Sequence, residues 1–251
     1  MLAKRIIPCL DIKDGQTVKG VNFLELQSVG DPVAMGRYYA QQGADELVYL
    51  DISATEQARR TFSALVERIA MNINIPFTVG GGISSVDDAS RLLLSGADKV
   101  SINSAAVTRP ALIDEIAAKY GNQFVVVAID AKKIDGRWVV TTHGGKRLTD
   151  KELFSWAYQA QERGAGEILF TSMDNDGTQA GYPCETFAEL AQGLSIPIIA
   201  SGGAGSVQDI ADVLTVGGAD AALAASIFHY NTIPIPFLKQ SLHKMNIQIR
   251  L

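Results

Sequence analysis

The sequence predicts an α/β fold, a single (β/α)8 TIM barrel with a twofold internal half-barrel repeat, and three observations predict it. Short apolar or β-branched runs alternate with helical stretches eight times, the pattern that gives parallel strands joined by crossover helices. The second half of the chain repeats the first, block by block, about 120 residues on. The length, 251 residues, is within the usual size of one such barrel, so residues 1–251 read as one domain.

The strands fall near residues 5–11, 46–52, 76–80, 98–103, 124–130, 167–172, 196–201 and 220–225. The first is the apolar run Arg5–Leu10 closed by Asp11, and its counterpart is Phe124–Ile129 closed by Asp130. The third and seventh open on Ile75-Pro76 and Ile196-Pro197 and end in small residues, Gly80-Gly81-Gly82 and Ser201-Gly202-Gly203. Both continue through a Ser-Val pair and an Asp (Ser85, Val86, Asp88; Ser206, Val207, Asp209) into a helical pattern. The fourth and eighth begin at Gly-Ala-Asp turns, Gly96-Ala97-Asp98 and Gly218-Ala219-Asp220; upstream, Gly43-Ala44-Asp45 is matched by Gly164-Ala165-Gly166. Helices are expected near 32–42, 57–73, 86–95, 110–120, 150–163, 185–193, 207–216 and 234–245. Two segments break the rhythm, Ile12–Gly30 and the hairpin-like Lys132–Arg147 with its Asp135-Gly136 turn. Both follow the strands that end in aspartate, where loops often cover an active site.

Composition excludes several classes. The chain is 47% apolar and 20% charged with a net charge of −5, against a general nucleic-acid binder, which needs clustered Lys and Arg. Two cysteines are too few for a disulfide framework and fit a reducing cytoplasm. His143, His229 and His243 show no metal-ligand spacing, and neither a metal nor a cofactor is expected. No apolar stretch approaches the roughly 18 residues of a membrane span, and no signal peptide is visible.

The chemistry concentrates at strand ends. A carboxylate at the carboxyl end of a barrel strand points into the mouth where such enzymes react, so Asp11 and Asp130 read as a paired acid and base. Gly82 and Gly203, with Asn103-Ser104 and Ala225-Ser226 at the ends of the fourth and eighth strands, form two matched sets of anion-binding signals. One set alone reads equally well as a tight turn; two in equivalent places point to a ligand with a phosphate at each end. Because strand side chains alternate, Arg5 shares a face with Asp11, one end lower. The same counting places Glu46, Lys99 and Glu167 at the floor of the barrel. Charges that deep are costly unless paired, so a closed ring of two cations and two anions is expected, whether as a gate or as a structural cluster. Thr171 and Ser201 face inward higher up.

Ile7-Pro8-Cys9-Leu10-Asp11, Val79-Gly80-Gly81-Gly82-Ile83, Asp98-Lys99-Val100-Ser101-Ile102-Asn103, Thr171-Ser172-Met173-Asp174 and Ala224-Ala225-Ser226-Ile227-Phe228-His229 resemble, in order and spacing, the cyclase subunits of imidazole glycerol phosphate synthase. The resemblance spans nearly the whole chain. It implies a bisphosphorylated substrate, phosphoribulosyl-formimino aminoimidazole carboxamide ribonucleotide. Ammonia adds to it, a ring closes, and cleavage gives imidazole glycerol phosphate and aminoimidazole carboxamide ribonucleotide. It also implies a glutaminase subunit docked on the amino-terminal barrel face, Asp11 and Asp130 as catalytic carboxylates, and the floor quartet as the ammonia gate. Lys19 resembles a lysine that closes over substrate, though a solvated surface lysine reads almost as well. Asp176 and Gly177 resemble substrate contacts, although a plain turn uses the same residues. Asp98 resembles a partner-face residue, or caps a turn. Cys9 reads as core and His229 as a packing or helix-end residue. Asn175 and Pro183 depart from the family pattern, where Arg and Asp are more usual. The competing readings are the isomerase of the preceding pathway step, which needs no charged floor, and a non-catalytic phosphosugar-binding subunit, which has no use for two acids beside a dianion.

Overall fold

The computed structural model describes residues 2–21, 24–52 and 56–251, the side chains of 19–21, 24–27 and 56–61 excepted. Eight parallel strands close on themselves: β1 (Arg5–Lys13), β2 (Leu47–Asp51), β3 (Phe77–Gly80), β4 (Lys99–Ile102), β5 (Val125–Ile134), β6 (Glu167–Ser172), β7 (Ile198–Ser201) and β8 (Ala221–Ala224). Each pairs with the next, and β8 returns to β1 with Arg5 opposite Ala221. Around them lie α1 (Pro32–Gln41), α2 (Glu56–Ala70), α3 (Val86–Leu94), α4 (Ala111–Tyr120), α5 (Leu153–Glu162), α6 (Cys184–Gly193), α7 (Val207–Thr215) and α8 (Ile235–Lys244). Short helices, Ser104–Thr108 and Ser226–His229, follow β4 and β8.

The repeated sequence blocks have local physical causes. Ser85 and Ser206 are the N-caps of α3 and α7, each accepting from the backbone N–H of the Asp three residues on; α7 has the full reciprocal capping box. The Gly-Ala-Asp turns tie strands together at their starts. Asp45 accepts from the Ile6 N–H at 2.8 Å, Asp98 from Phe77 at 2.9 Å and Asp220 from Ile198 at 3.0 Å. Before β6 the pattern changes to Gly166, because a Cβ there would lie 2.1 Å from the Asn122 carbonyl oxygen. Lys239 of α8, itself buried, donates to the Gly43 carbonyl at 2.6 Å and to Asp45 at 3.0 Å, pinning the last helix to the base of β1 and β2.

Two layers of apolar side chains make the core. The larger lies between strands and helices and includes Ile6, Leu10, Tyr49, Trp156 and Phe170. The smaller fills the barrel: Ile7, Cys9, Val48, Val126, Leu169 and Ile199 belong to it. Cys9 is therefore core, and the inward parity of Arg5, Ile7, Cys9 and Asp11 holds.

The two irregular segments are more regular than the sequence suggested. Ile12–Gly30 is an extension of β1 followed by the antiparallel strands Gln16–Val21 and Leu24–Gly30. Lys132–Arg147 is likewise the end of β5 paired with Arg137–Thr142, which pairs in turn with Arg147–Glu152. The helix expected from residue 150 starts at Leu153 instead. Arg147–Glu152 is bound through its backbone and has no buried face, so its charged composition read as helix.

Candidate active site

The carboxyl ends of the strands surround one cavity of about 860 Å³, well inside the size range of small-molecule sites. Asp11 and Asp130 both line it. Neither is turned outward, and no packed hydrocarbon separates them from the shared space. Also on its wall are Gly82, Asn103 and Ser104 from the ends of β3 and β4, Thr171, Asp176 and Gly177 from β6 and the loop after it, and Ser201, Gly203, Ala225 and Ser226 from the ends of β7 and β8. All the expected ligand contacts thus meet in one place except Lys19, whose side chain lies outside the described residues.

Asp130 is held by its neighbours on the wall. The Asn103 side-chain amide donates to its Oδ2 at 2.9 Å, and Thr171 stands beside it in register on β6. Burial pushes the Asp130 carboxyl up to about 6; the Asn103 and Thr171 hydrogen bonds oppose that, and the Asp176 charge adds to it. A carboxylate with that value is a stronger base than a solvated aspartate, yet still ionised for the most part at neutral pH.

The two glycine loops turn out to have a structural duty. Gly81 and Gly202 have φ of +101° and +83°; a Cβ on the first would lie 2.0 Å from the Asp51 carbonyl oxygen, and on the second 2.5 Å from that of Ser172. The chain crosses too closely for any other residue, whatever the loop binds. The helix starts around the cavity differ in their caps. The first turns of α3 and α7 are capped by their own serines. The short helices after β4 and β8, which start from Asn103 and Ala225, have no side-chain cap, and Ser104 and Ser226 face the cavity.

At the opposite end the floor ring is closed. Arg5 reaches Glu46 at 2.7 Å and Glu167 at 3.0 Å; Lys99 reaches the same two carboxylates at 3.0 and 2.9 Å. Burial would raise the Glu46 carboxyl, but Arg5 and Lys99 outweigh it and hold it below the usual range. The apolar interior layer separates this ring from the cavity. Asp98 is exposed on the same lower face, with one carboxylate oxygen engaged as a turn cap by the Phe77 N–H.

Several cavity residues were not singled out from sequence: Lys13, Asp51, Ser101, His143 and Lys146. Ser101 was available from parity, lying between Lys99 and Asn103 on one face. Asp51 ends β2 one residue after the inward Leu50, so parity did not select it, and the others sit on strand extensions and turns where no periodicity operates. The departures on the loop after β6 are structural: Asn175 accepts from the Ser172 hydroxyl at 2.7 Å and donates to the Gly181 carbonyl at 2.9 Å, and Pro183 is the N-cap position of α6. His229 ends its short helix and stacks on Tyr39, whose hydroxyl lies 2.7 Å from Nδ1. Among the described residues no cluster fits a metal ion, and no helix is long and apolar enough to cross a membrane.

Comparison with known proteins converges on one family. The family model described as histidine biosynthesis protein matches residues 5–234. The chain is 61% identical over 251 residues to the imidazole glycerol phosphate synthase subunit HisF of Flavobacterium johnsoniae, with all of both chains covered. It is 60% identical over 250 residues to that of Bacteroides fragilis and 58% identical over 250 to that of Cytophaga hutchinsonii, again with complete coverage of both chains.

Proposed function

We propose a mechanism on one premise: the chain belongs to the histidine biosynthesis protein family and, within it, to the cyclase subunits of imidazole glycerol phosphate synthase. The cyclase reading therefore stands over the isomerase of the preceding step and over a non-catalytic binder. The reaction adds ammonia to the bisphosphorylated ribulosyl substrate, closes the imidazole ring and releases aminoimidazole carboxamide ribonucleotide.

Asp130 acts as the base and Asp11 as the acid, passing protons at opposite sides of the bound substrate. The observation that supports proton transfer here is the raised Asp130 carboxyl, near 6, in a cavity that it shares with Asp11. Two carboxyls in different environments divide acid and base work at one pH. One phosphate of the substrate lies against Gly82, Asn103 and Ser104, the other against Gly203, Ala225 and Ser226, with Gly177 and Asp176 at its side. Thr171 and Ser201 offer hydroxyls between these ends.

Ammonia enters from below, through the ring Arg5, Glu46, Lys99 and Glu167, which opens as a gate when a glutaminase subunit is docked. The docking face has suitable chemistry. Met71, Leu94, Val216 and Met245 are exposed at or just beyond the carboxyl ends of helices, the ends that lie where the strands begin, on the side of Asp98. The whole of 1–251 serves as this one cyclase domain, in the cytoplasm.

Turnover of the ribulosyl substrate supplied with ammonium salt alone tests the reading. Product forms only with ammonium, and Asp11→Asn lowers kcat by about 10²–10⁴, the usual contribution of a positioned acid or base. Turnover without ammonium, or an Asp11→Asn variant within a few-fold of the unaltered protein, overturns it.

A further inference from the structure

We infer that the turn His143-Gly144-Gly145-Lys146 is an additional substrate-binding element, which places the Lys146 ammonium on the phosphate held by Gly82, Asn103 and Ser104. The inference deepens the cyclase reading and rests on its bisphosphorylated substrate.

The need for such an element comes from charge. Four carboxylates line the cavity, those of Asp11, Asp51, Asp130 and Asp176. The two phosphate cradles supply backbone N–H groups, hydroxyls and one amide, but neither has a cationic side chain. Among the described residues lining the cavity, the ammonium groups are those of Lys13 and Lys146. A ligand with two dianionic ends entering this field gains most from a cation placed directly at a phosphate.

Geometry assigns Lys146 to one particular end. The His143 backbone N–H donates to the Ser104 hydroxyl oxygen at 3.1 Å, so the turn is fastened to the cradle after β4 and not to the one after β8. That bond leaves the Ser104 hydroxyl hydrogen available to a phosphate oxygen. His143 Nδ1 lies 3.1 Å from the Thr142 hydroxyl, which orients the ring at the cavity edge. The turn is a specified shape: His143, Gly144 and Gly145 have φ of +56°, +64° and +80°. A non-glycine residue in that region is uncommon, and such residues gather at ligand clamps. Gly145 also lies against Met173 of the loop after β6, where a Cβ would come within 2.6 Å of the methyl group. Lys146 is exposed and makes no ion pair among the described residues, so its charge is not committed elsewhere.

The test compares Lys146→Ala and Lys146→Arg with the unaltered protein, using ammonium salt as the nitrogen source. The two products, each with a single phosphate, serve as separate inhibitors. Lys146→Ala raises KM for the ribulosyl substrate about tenfold, the lower range for a hydrogen bond to a charged group, while kcat stays within about twofold. It weakens inhibition by one product and leaves the other unchanged, and Lys146→Arg recovers most of the loss. Unchanged KM in an enzyme that turns over overturns the inference alone, as does equal weakening of both products. Absence of ammonium-dependent turnover in the unaltered protein overturns the premise and the inference with it.

Discussion

Replacing Asp130 with asparagine makes the protein more stable while abolishing its activity, and the size of the gain follows from the site. The substitution keeps the shape and keeps an oxygen to accept from Asn103, whose amide donates to Oδ2 at 2.9 Å; it removes the charge and turns the other oxygen into an amide donor, for which the Thr171 hydroxyl can act as acceptor. Burial has moved the carboxyl from 3.8 to about 6, a displacement worth ~3 kcal/mol at about 1.4 kcal/mol per pH unit. The folded state holds this proton to higher pH than the unfolded chain does. Its contribution to stability is therefore complete below about pH 4 and is lost as pH rises through about 6. At pH 7.5 the ionised side chain costs the fold up to ~3 kcal/mol, and asparagine carries no such cost. For a chain of this size the difference corresponds to a Tm higher by about 6–12 °C. Thermal or urea unfolding of both proteins at pH 7.5 and pH 5 measures it: the variant is the more stable at 7.5, and the gap narrows to ~2 kcal/mol at pH 5. A variant no more stable than the original at pH 7.5, or a gap that ignores pH, refutes the claim that desolvation of Asp130 tunes this site.

Two other substitutions probe the remaining parts of the site. Asn103→Ala removes a hydrogen bond that favours the charged form of Asp130, so the carboxyl moves further up. The acid limb of the kcat/KM profile, measured at constant free ammonia, shifts to higher pH; a shift to lower pH contradicts the assignment of Asp130 as base. Lys99→Met leaves Glu46 and Glu167 with Arg5 alone, and breaking such a buried ion network costs about 3–5 kcal/mol, read in urea unfolding. Turnover with ammonium salt stays within a few-fold, whereas coupling to glutamine hydrolysis in the complex with the glutaminase falls. Intact coupling in a destabilised variant would assign the ring a purely structural role.

How far the sequence could be read depended on whether a residue belonged to a strict period. The floor ring was legible because Arg5 lies six residues before Asp11 on one strand, so fixing the direction of one side chain fixes the other. The hairpin turn at Asp135-Gly136 was legible too, but its third strand was misread for the opposite reason. Arg147–Glu152 is held by backbone pairing with no buried face, and nothing in its side chains announces a strand. The turn at His143 was missed because its bond to Ser104 runs from a backbone N–H to a hydroxyl 39 residues away in sequence. The glycines carry two messages at once: Gly81 and Gly202 are compelled by the nearness of the Asp51 and Ser172 carbonyls, so their presence alone does not report on phosphate.

The same twofold repeat that places the two aspartates in equivalent positions also explains how they come to differ. In β5 the neighbour of Asp130 across to β6 is Thr171, and Asn103, at the end of β4, donates to its carboxylate. In β1 the corresponding neighbour of Asp11 on β2 is Leu50, and the position matched to Asn103 at the end of β8 is Ala225. Leu50 and Ala225 offer no side-chain hydrogen bond. The side chains at these two positions thus differ between Asp130 and its twin, while the strand pairing stays the same. A symmetric pair of acids would compete for one proton; unequal neighbours assign it. On the proposed mechanism the neighbouring strands set which carboxyl is the base, and exchanging those neighbours between the halves, Asn103→Ala with Ala225→Asn, moves the base from one half-barrel toward the other.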